Sequence, residues 1–304
     1  MARTDTLSNF LTDVADSIRE KTGKTEVIPA SSFDTEIANI ETGEDITEYF
    51  KESITEGTNA SDTNKVLTAG LTKIIKKVPE GIIFNGASCQ YMFYCCTGLE
   101  EAPLFDMGSI TSLYCMFYYC GSLKIVPSYN TNKITDFRMM FCGCSSLTEV
   151  PCFDMSSATH IGSMFNGCSK LVSCPQFQTN LVVDMSSMFG HCPLLTDIPE
   201  LDASSCANVS SMFTGCYALT NFGGLKNLGQ AYLTSRSANY SSYKLDLSYS
   251  TNLTHDSLMN VINNLYDIAT AGCNTQQLVL GSTNKAKLTS EEIAIATNKG
   301  WTVS

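Results

Sequence analysis

Apolar residues recur every 24 positions through the middle of the chain. The pair Met-Phe occurs six times without insertion or deletion, and each Met is followed by Cys four positions later and by Leu seven positions later. The Met residues are Met92, Met116, Met140, Met164, Met188 and Met212. One repeat has too little apolar surface to fold alone, so neighbouring repeats are expected to stack with identical positions above one another.

Further columns follow the same period. A Pro comes four positions after each of the first five Leu residues, and an aromatic or Leu residue comes two positions after the Pro. The pattern predicts an α/β repeat fold, a leucine-rich-repeat-like solenoid of six 24-residue repeats over residues 89–222. Leu-x-x-apolar-Pro predicts a short strand, and the apolar residue three positions before Met-Phe predicts a second short strand or a helical turn.

The 14 cysteines have two interpretations. A metal ladder or a set of disulfides is one of them, but each repeat contributes a single column Cys with no His column beside it. We favour buried, reduced thiols that pack as small apolar groups. The column consists of Cys96, Cys120, Cys144, Cys168, Cys192 and Cys216.

The repeat pattern resembles a known family. Met-Phe-x-x-Cys-x-x-Leu-x-x-x-Pro, most complete around Cys144–Thr148 and Phe153–Ser156, is similar to the BspA-type leucine-rich repeats of bacterial surface proteins and of phage and prophage proteins. The resemblance covers roughly residues 89–222. It implies a solenoid architecture and says little about function, because such repeats serve many binding roles.

The N-terminal segment carries an apolar helix face. Spacing of three and four residues predicts a helix over residues 6–22, followed by a second short helix that ends before Gly43. We predict that residues 1–43 are a docking or oligomerisation segment and that residues 44–88 are a linker and N-terminal cap. The residues expected at the docking interface are Leu7, Phe10, Leu11, Val14 and Ile18. A plain helical hairpin that caps the chain's own repeats is the alternative.

The segment Ser17–Lys24, followed by Ile28-Pro29 and Phe33, resembles the N-terminal segments of tail and other structural proteins of phages that infect Gram-positive gut bacteria. This resemblance covers about 40 residues. It implies attachment to other virion proteins or to copies of the same chain.

Residues 223–304 predict an α/β capping unit. Strands are expected at Leu245–Ser248, Leu278–Gly281 and Trp301–Val303. Thr254 and Asp256 favour the start of one helix, and Thr289 with Glu292 forms a capping-box pattern at the start of another.

Charge and motifs exclude several classes of function. Residues 81–222 carry 4 basic and 10 acidic side chains, and the whole chain has a net charge of −11, so nucleic-acid binding is not expected. No P-loop, nucleophile elbow, dinucleotide motif or His-Glu-x-x-His is present. We therefore expect no enzyme activity, no catalytic residues, no cofactor and no metal site. The chain start lacks a signal-peptide pattern, and no apolar run is long enough for membrane insertion.

A tyrosine group in the first two repeats is the candidate ligand-binding site. Tyr94 and Tyr118 share a column, with Tyr114, Tyr119 and Tyr91 nearby. Exposed aromatic strips bind sugars or proteins, although these rings could instead fill space against the N-terminal flank. The leading hypothesis is a virion protein of the tail, tail-tip or fibre type that binds a host cell-surface glycan or protein. A bacterial cell-surface adhesin or secreted interaction protein is the alternative.

Overall fold

The computed structural model describes residues 89–104, 107–233, 244–271 and 274–304. In chain order the strands and helices are β1 (Asp197–Ile198), β2 (Leu201–Asp202), β3 (Asn221–Phe222), β4 (Leu225–Lys226), β5 (Lys244–Asp246), α1 (His255–Asn264), β6 (Gln276–Val279), α2 (Gly281–Lys285), α3 (Ser290–Asn298) and β7 (Trp301–Val303). A short 3-10 helix spans Gln230–Leu233.

Each 24-residue repeat hydrogen-bonds to the next one. We count positions from each Met as position 0. The N–H groups at positions −3, −1, 1 and 3 donate to carbonyls 23 residues later, as in Ile161 to Asp184, Ser163 to Ser186, Phe165 to Met188 and Gly167 to Gly190. The same four bonds are present at each of the five junctions between the six repeats. The bonds place equivalent residues of successive repeats side by side.

The predicted apolar columns are buried, which confirms the assignment of these positions to the core. Every Met, Phe, Cys and Leu of the four columns is at most 6% exposed. The Phe rings at position 1 stack nearly parallel from Phe93 to Phe213, with centroids 5.3 to 6.2 Å apart. The apolar column at position −3 and the described aromatic or Leu residues after the prolines are buried as well.

The prediction for the Met-Phe segment was wrong. These residues form turns, neither a strand nor a helix, and the nearest β structure is a row of isolated bridges at position −4. The physical reason is a pair of left-handed residues in every repeat, at positions −1 and 3, such as Ser163 at φ 57° and Gly167 at φ 77°. Positive φ at two places four residues apart interrupts both helical and extended geometry.

The strand predicted before the proline is confirmed only in the last repeats. Asp197–Ile198, directly before Pro199, pairs in parallel with Asn221–Phe222. A second pair, Leu201–Asp202 with Leu225–Lys226, lies after the proline and was not predicted. Earlier repeats have only isolated bridges there, such as Glu101 with Ile125. The proline directly after this position limits how far a ladder can extend.

The C-terminal segment forms a three-stranded parallel sheet in the order β5-β6-β7. The predicted starts of α1 and α3 are confirmed: Thr254 accepts from the Ser257 N–H, and Thr289 and Glu292 make a complete capping box. The strand expected to reach Gly281 instead ends at Val279, and α2 was not predicted. Leu280 already has helical angles, with φ −94° and ψ −28°, so the extended run ends before it.

The C-terminal segment covers the last repeat. The Ser250 hydroxyl donates to the Cys216 carbonyl at 3.1 Å, and the Thr254 N–H donates to the Thr220 carbonyl at 3.0 Å. Ser257 at the start of α1 accepts from the Phe222 N–H at 2.9 Å. These bonds satisfy main-chain groups that a further repeat would otherwise occupy.

Candidate functional site

The four tyrosines singled out in the sequence lie together, and Tyr91 joins them. We call Tyr91, Tyr94, Tyr114, Tyr118 and Tyr119 the tyrosine cluster. Tyr94 and Tyr118 stack with centroids 4.9 Å apart and planes 5° apart. Tyr91 meets Tyr114 edge-on at 5.2 Å, and Tyr119 lies tilted against Tyr118 at 4.6 Å. Tyr91 also meets Tyr94 edge-on at 5.8 Å, so the five rings form one continuous contact network across the first two repeats.

The turn around each Met-Phe pair directs these rings outward. Positions −3, 0, 1 and 4 face the core, and the tyrosines of the cluster occupy positions between them. Tyr91 at position −1 and Tyr119 at position 3 both have φ 58°, the left-handed conformation found at these positions throughout the repeats. Tyr119 is 52% exposed and Tyr91 is 38% exposed, while the other three rings are half-buried. The cluster is thus accessible to solvent, and contacts among its own rings hold it in place.

Arg138 closes one side of the cluster. Its guanidinium carbon lies 5.1 Å from the centre of the Tyr114 ring, a cation–π contact. The same group binds Asp136 through Nε at 2.9 Å and through a terminal nitrogen at 2.6 Å. This hydrogen bond raises the pKa of Arg138, and the carboxylate compensates its charge. The cluster consequently has an aromatic surface with little net charge.

The phenols of Tyr94, Tyr114 and Tyr118 stay protonated at neutral pH. Hydrogen bonding with Tyr91, the neighbouring Cys115 and burial raise the pKa of Tyr114. Burial is the main cause that raises the pKa of Tyr94 and of Tyr118. At neutral pH these side chains are therefore both hydrogen-bond donors and acceptors beside their ring faces.

Three thiols border the rings but are poor nucleophiles. Burial raises the pKa of Cys115 and of Cys142 to about 11, and it also raises the pKa of Cys95. The Cys115 thiol lies 3.9 Å from the Met139 sulfur. Because the reactive form of Cys is the thiolate, these groups contribute packing and not nucleophilic chemistry at neutral pH.

Carboxylates and histidines elsewhere have structural partners. Asp154 accepts from the Ser156 N–H at 3.0 Å and so caps the turn that follows it. His160 contacts the Thr159 hydroxyl at 2.9 Å, and His255 contacts Glu292 at 2.9 Å. Within the described ranges, no three His, Cys, Asp or Glu side chains are grouped closely enough to hold a metal ion.

Two features were missed in the sequence. An exposed aromatic pair lies at the far end of the repeats, where Tyr217 and Tyr249 meet edge-on at 6.4 Å. An open cavity of about 490 Å³ lies between the last two repeats and α1, and both apolar residues such as Phe222 and polar residues such as Asp197 and Asn260 line it. Hydrogen bonds from Thr196 and Asn221 lower the pKa of Asp197. Tyr217 could have been found as an aromatic at an outward position, but the cavity depends on how α1 packs.

The predicted docking residues lie outside the described residues. Leu7, Phe10, Leu11, Val14 and Ile18 belong to the segment before residue 89, as do the predicted boundaries at residues 43 and 88. The docking role and the competing capping role both remain predictions.

Comparison with known proteins gives one family. The family described as "Mycoplasma protein of unknown function, DUF285" matches residues 87–173 and 150–240, which together are about half of the chain. Both matches fall on the repeats and the segment directly after them. A search of curated protein sequences gives no match. In the part of the chain that the structure describes, none of the helices has the length and apolar character needed to cross a bilayer.

Proposed function

Because this chain belongs to the DUF285 family, which is found in BspA-like surface proteins, we propose that it is a non-enzymatic interaction protein whose repeats form a leucine-rich-repeat-like solenoid. The repeats serve as a rigid framework, and the tyrosine cluster is the binding surface. The observation that carries the proposal is the five-ring network of that cluster, accessible to solvent and almost uncharged. Tyrosine is favoured at such surfaces because one side chain combines a large apolar ring with a hydrogen-bonding end.

The protein's place of action is the second part of the proposal. We assign it to a phage or prophage particle, as a tail, tail-tip or fibre protein, on the resemblance of Ser17–Phe33 to phage structural proteins. In this arrangement residues 1–43 dock to other virion proteins or to copies of the chain, and the repeats face a host-surface glycan or protein. A bacterial cell-surface adhesin is the second candidate, supported by the family's occurrence in surface proteins.

Locating the protein in purified particles separates these two candidates. We expect the chain to sediment with the particles in a density gradient and to be detected in them by mass spectrometry. Detection on the bacterial surface in cells that release no particles would favour the adhesin.

A truncation tests the docking segment. Deletion of residues 1–42 is expected to leave folded repeats that no longer sediment with particles, because the apolar helix face is removed. Phe10→Asp on that face should act like the deletion, whereas Ser8→Asp on the polar face should not. If the truncated protein unfolds, the capping alternative is correct.

Replacement of cluster residues tests the binding surface. Tyr118→Ala and Tyr119→Ala should weaken binding of the full-length protein to host cells by about tenfold each, because each substitution removes one aromatic ring from the surface. Ile125→Ala is the matched control, because Ile125 is 56% exposed but lies outside the tyrosine cluster, two positions after the buried Leu123. Equal binding by all three variants would show that the cluster is not the binding surface.

A further inference from the structure

One edge of the repeats is continuous from the tyrosine cluster to the last repeat. It is formed by positions 2, 3, 5 and 6 after each Met, which lie between the inward-facing Phe, Cys and Leu columns. We call these positions the outward edge. Tyr94, Tyr118 and Tyr119 lie on it at one end, and Tyr217 lies on it at the other. The bonds between repeats hold these positions in register along the whole edge.

Both ends of the outward edge carry exposed large side chains. At the first end Tyr119 is 52% exposed. At the far end Tyr217 is 58% exposed and Leu194 is 52% exposed, and Tyr249 of the C-terminal segment extends this end through its contact with Tyr217. Single exposed apolar side chains are common on protein surfaces and need no explanation. Exposed aromatic rings at two separated places on one edge do need one.

The middle of the edge is built from small residues. Positions 3 and 5 of the third and fourth repeats are Gly143, Ser145, Gly167 and Ser169. A Cβ atom on Gly143 would come within 3.0 Å of the Tyr119 ring, so the absence of a side chain lets that ring lie against the main chain. Because these side chains are small, the edge has a shallow depression between its two aromatic ends.

The length of the depression follows from the stacking. Tyr118 and Tyr217 belong to repeats four apart, and parallel neighbours are spaced by about 4.8 Å, so the two aromatic ends are separated by roughly 19 Å. A ligand that reaches both ends must therefore be an extended chain of several units.

Charge on the edge differs from charge on the whole protein. The 24 positions of the outward edge contain no Asp or Glu, although the chain has 30 acidic residues. Lys170 is their only Lys or Arg, and His191 is their only His. A nucleic acid or a strongly anionic polymer would need many more cations than this. A cationic ligand would find no carboxylate on the edge.

The main chain of the edge offers little to an added peptide strand. In the first four repeats the N–H groups at positions 2, 3 and 5 already donate to carbonyls within the stack, as Tyr118 does to Cys115 and Tyr119 does to Cys142. Strand addition depends on free main-chain donors and acceptors, so it is disfavoured. Recognition must use ring faces, phenols, hydroxyls and amides such as Asn166.

We propose that the outward edge binds a linear, neutral oligosaccharide, which stacks on Tyr118 and Tyr119 at one end and on Tyr217 at the other. Sugar rings present apolar C–H faces to aromatic rings, and their hydroxyl groups pair with phenol and serine side chains. This inference rests on the proposed function and names the ligand class of that surface.

The test uses the full-length protein on an array of neutral linear oligosaccharides of increasing length, with anionic glycans and proline-rich peptides on the same array. We expect retention of a neutral linear series, with affinity rising until the chain spans both aromatic ends and then levelling off. Raising the salt concentration should leave binding unchanged, because no ion pair contributes.

Variants at the two ends sharpen the test. Tyr118→Ala and Tyr217→Ala should each weaken binding of the long oligosaccharides by about tenfold, and Tyr217→Ala should leave binding of the shortest ones unchanged. Ile125→Ala is the control with unchanged affinity. Thermal unfolding of each variant verifies that the fold is retained. Failure to retain any neutral glycan, preferential retention of proline-rich peptides, or dependence on one end alone would overturn the inference.

Host cells distinguish this inference from the proposed function. If a neutral glycan is the ligand, periodate oxidation of cell-surface sugars abolishes binding and protease treatment of the cells does not. Tyrosine-dependent binding that is lost after protease treatment and resists periodate would leave the proposed function intact and overturn the glycan inference. Absence of any cell binding by the intact protein would instead contradict the proposed function.

Discussion

The buried thiols of the Cys column connect neighbouring repeats. Each of the last five column cysteines donates to the carbonyl of the Phe 27 residues earlier, for example Cys168 to Phe141 and Cys192 to Phe165, both at 3.1 Å. The sequence-based interpretation as small apolar groups omitted this bond. A thiol suits the site because it is a weak donor that costs less to bury than a hydroxyl. Burial raises the pKa of every column thiol.

We expect the cysteines to be free and mostly unreactive in the native protein. Alkylation of the denatured, unreduced protein should modify nearly all 14 residues. In the native state at pH 7.5, exposed Cys152 should react first, and Cys142 should react more slowly because burial raises its pKa to about 11. Peptide mapping after timed alkylation measures both. Thiols that appear only after a reductant is added would contradict the reduced core.

Phe165 tests the contribution of a single core ring. It is fully buried and stacks on Phe141 and Phe189 at 5.8 Å on both sides. Phe165→Ala should lower the free energy of unfolding by about 3–5 kcal/mol, because it removes apolar contacts and leaves a cavity. Urea unfolding measures this loss. Val172→Ala, at a 45% exposed position of the same repeat, should change stability by less than about 1 kcal/mol. Equal effects of the two substitutions would mean that the core position is misassigned.

The tight turn around Met-Phe is the element that defines each repeat. Its left-handed residue at position 3 is Gly in the third, fourth and sixth repeats, and Cys95, Tyr119 and His191 adopt the same conformation in the others. A residue with a side chain is strained there, and the hydrogen bonds of the stack hold it in place. The sequence column at position 3 is mixed, and therefore it did not reveal this turn.

A pair of glycine substitutions tests the turn. Gly167 has φ 77°, so Gly167→Ala should lower the free energy of unfolding by about 1–2 kcal/mol. Gly121 is the matched control, because it does not have positive φ and an added Cβ would make only ordinary contact with the Ser145 hydroxyl at 3.6 Å. Gly121→Ala should be neutral or slightly stabilising in the same urea titration. A neutral Gly167→Ala would refute the strained-turn argument.

At the scale of the whole molecule, the buried thiols make stability dependent on alkaline pH. Burial raises the pKa of Cys96 and of Cys216 to about 12, above the ordinary value of 9.0 that applies to the unfolded chain. The folded protein therefore holds these protons more tightly than the unfolded chain does. Their contribution to stability is fully present below pH 9 and is lost as pH rises from 9 towards 12.

We expect the urea midpoint to fall steeply above pH 9, with several protons released per molecule on unfolding. Cys168→Ala should release about one proton fewer, because it removes one buried thiol. Measurement of the midpoint at intervals between pH 7 and 10.5 gives the slope. A slope that is identical in the variant and the parent protein would show that the thiols do not cause the loss.

The site was predicted in part. Tyr94, Tyr114, Tyr118 and Tyr119 were selected from a shared column and its neighbours, and the structure brings them together because the period aligns successive repeats. Arg138 was not selected, although it lies 24 residues after Tyr114 and therefore beside it in the same column of the next repeat. Tyr217 was overlooked because its partner, Tyr249, comes from the C-terminal segment.

The sequence alone determined the repeat period, the buried columns and the starts of α1 and α3, because each depends on local spacing or on capping residues. Met164, Phe165, Cys168 and Leu171 could be assigned to the core without coordinates, since a fixed period places equivalent side chains above one another. Only the tertiary structure decided the path of the chain between those columns. Main-chain hydrogen bonds to the next repeat stabilise the left-handed conformation, even at non-glycine residues, where it would be unfavourable in an isolated segment. The same contacts between repeats decided which outward tyrosines meet and where the outward edge begins and ends.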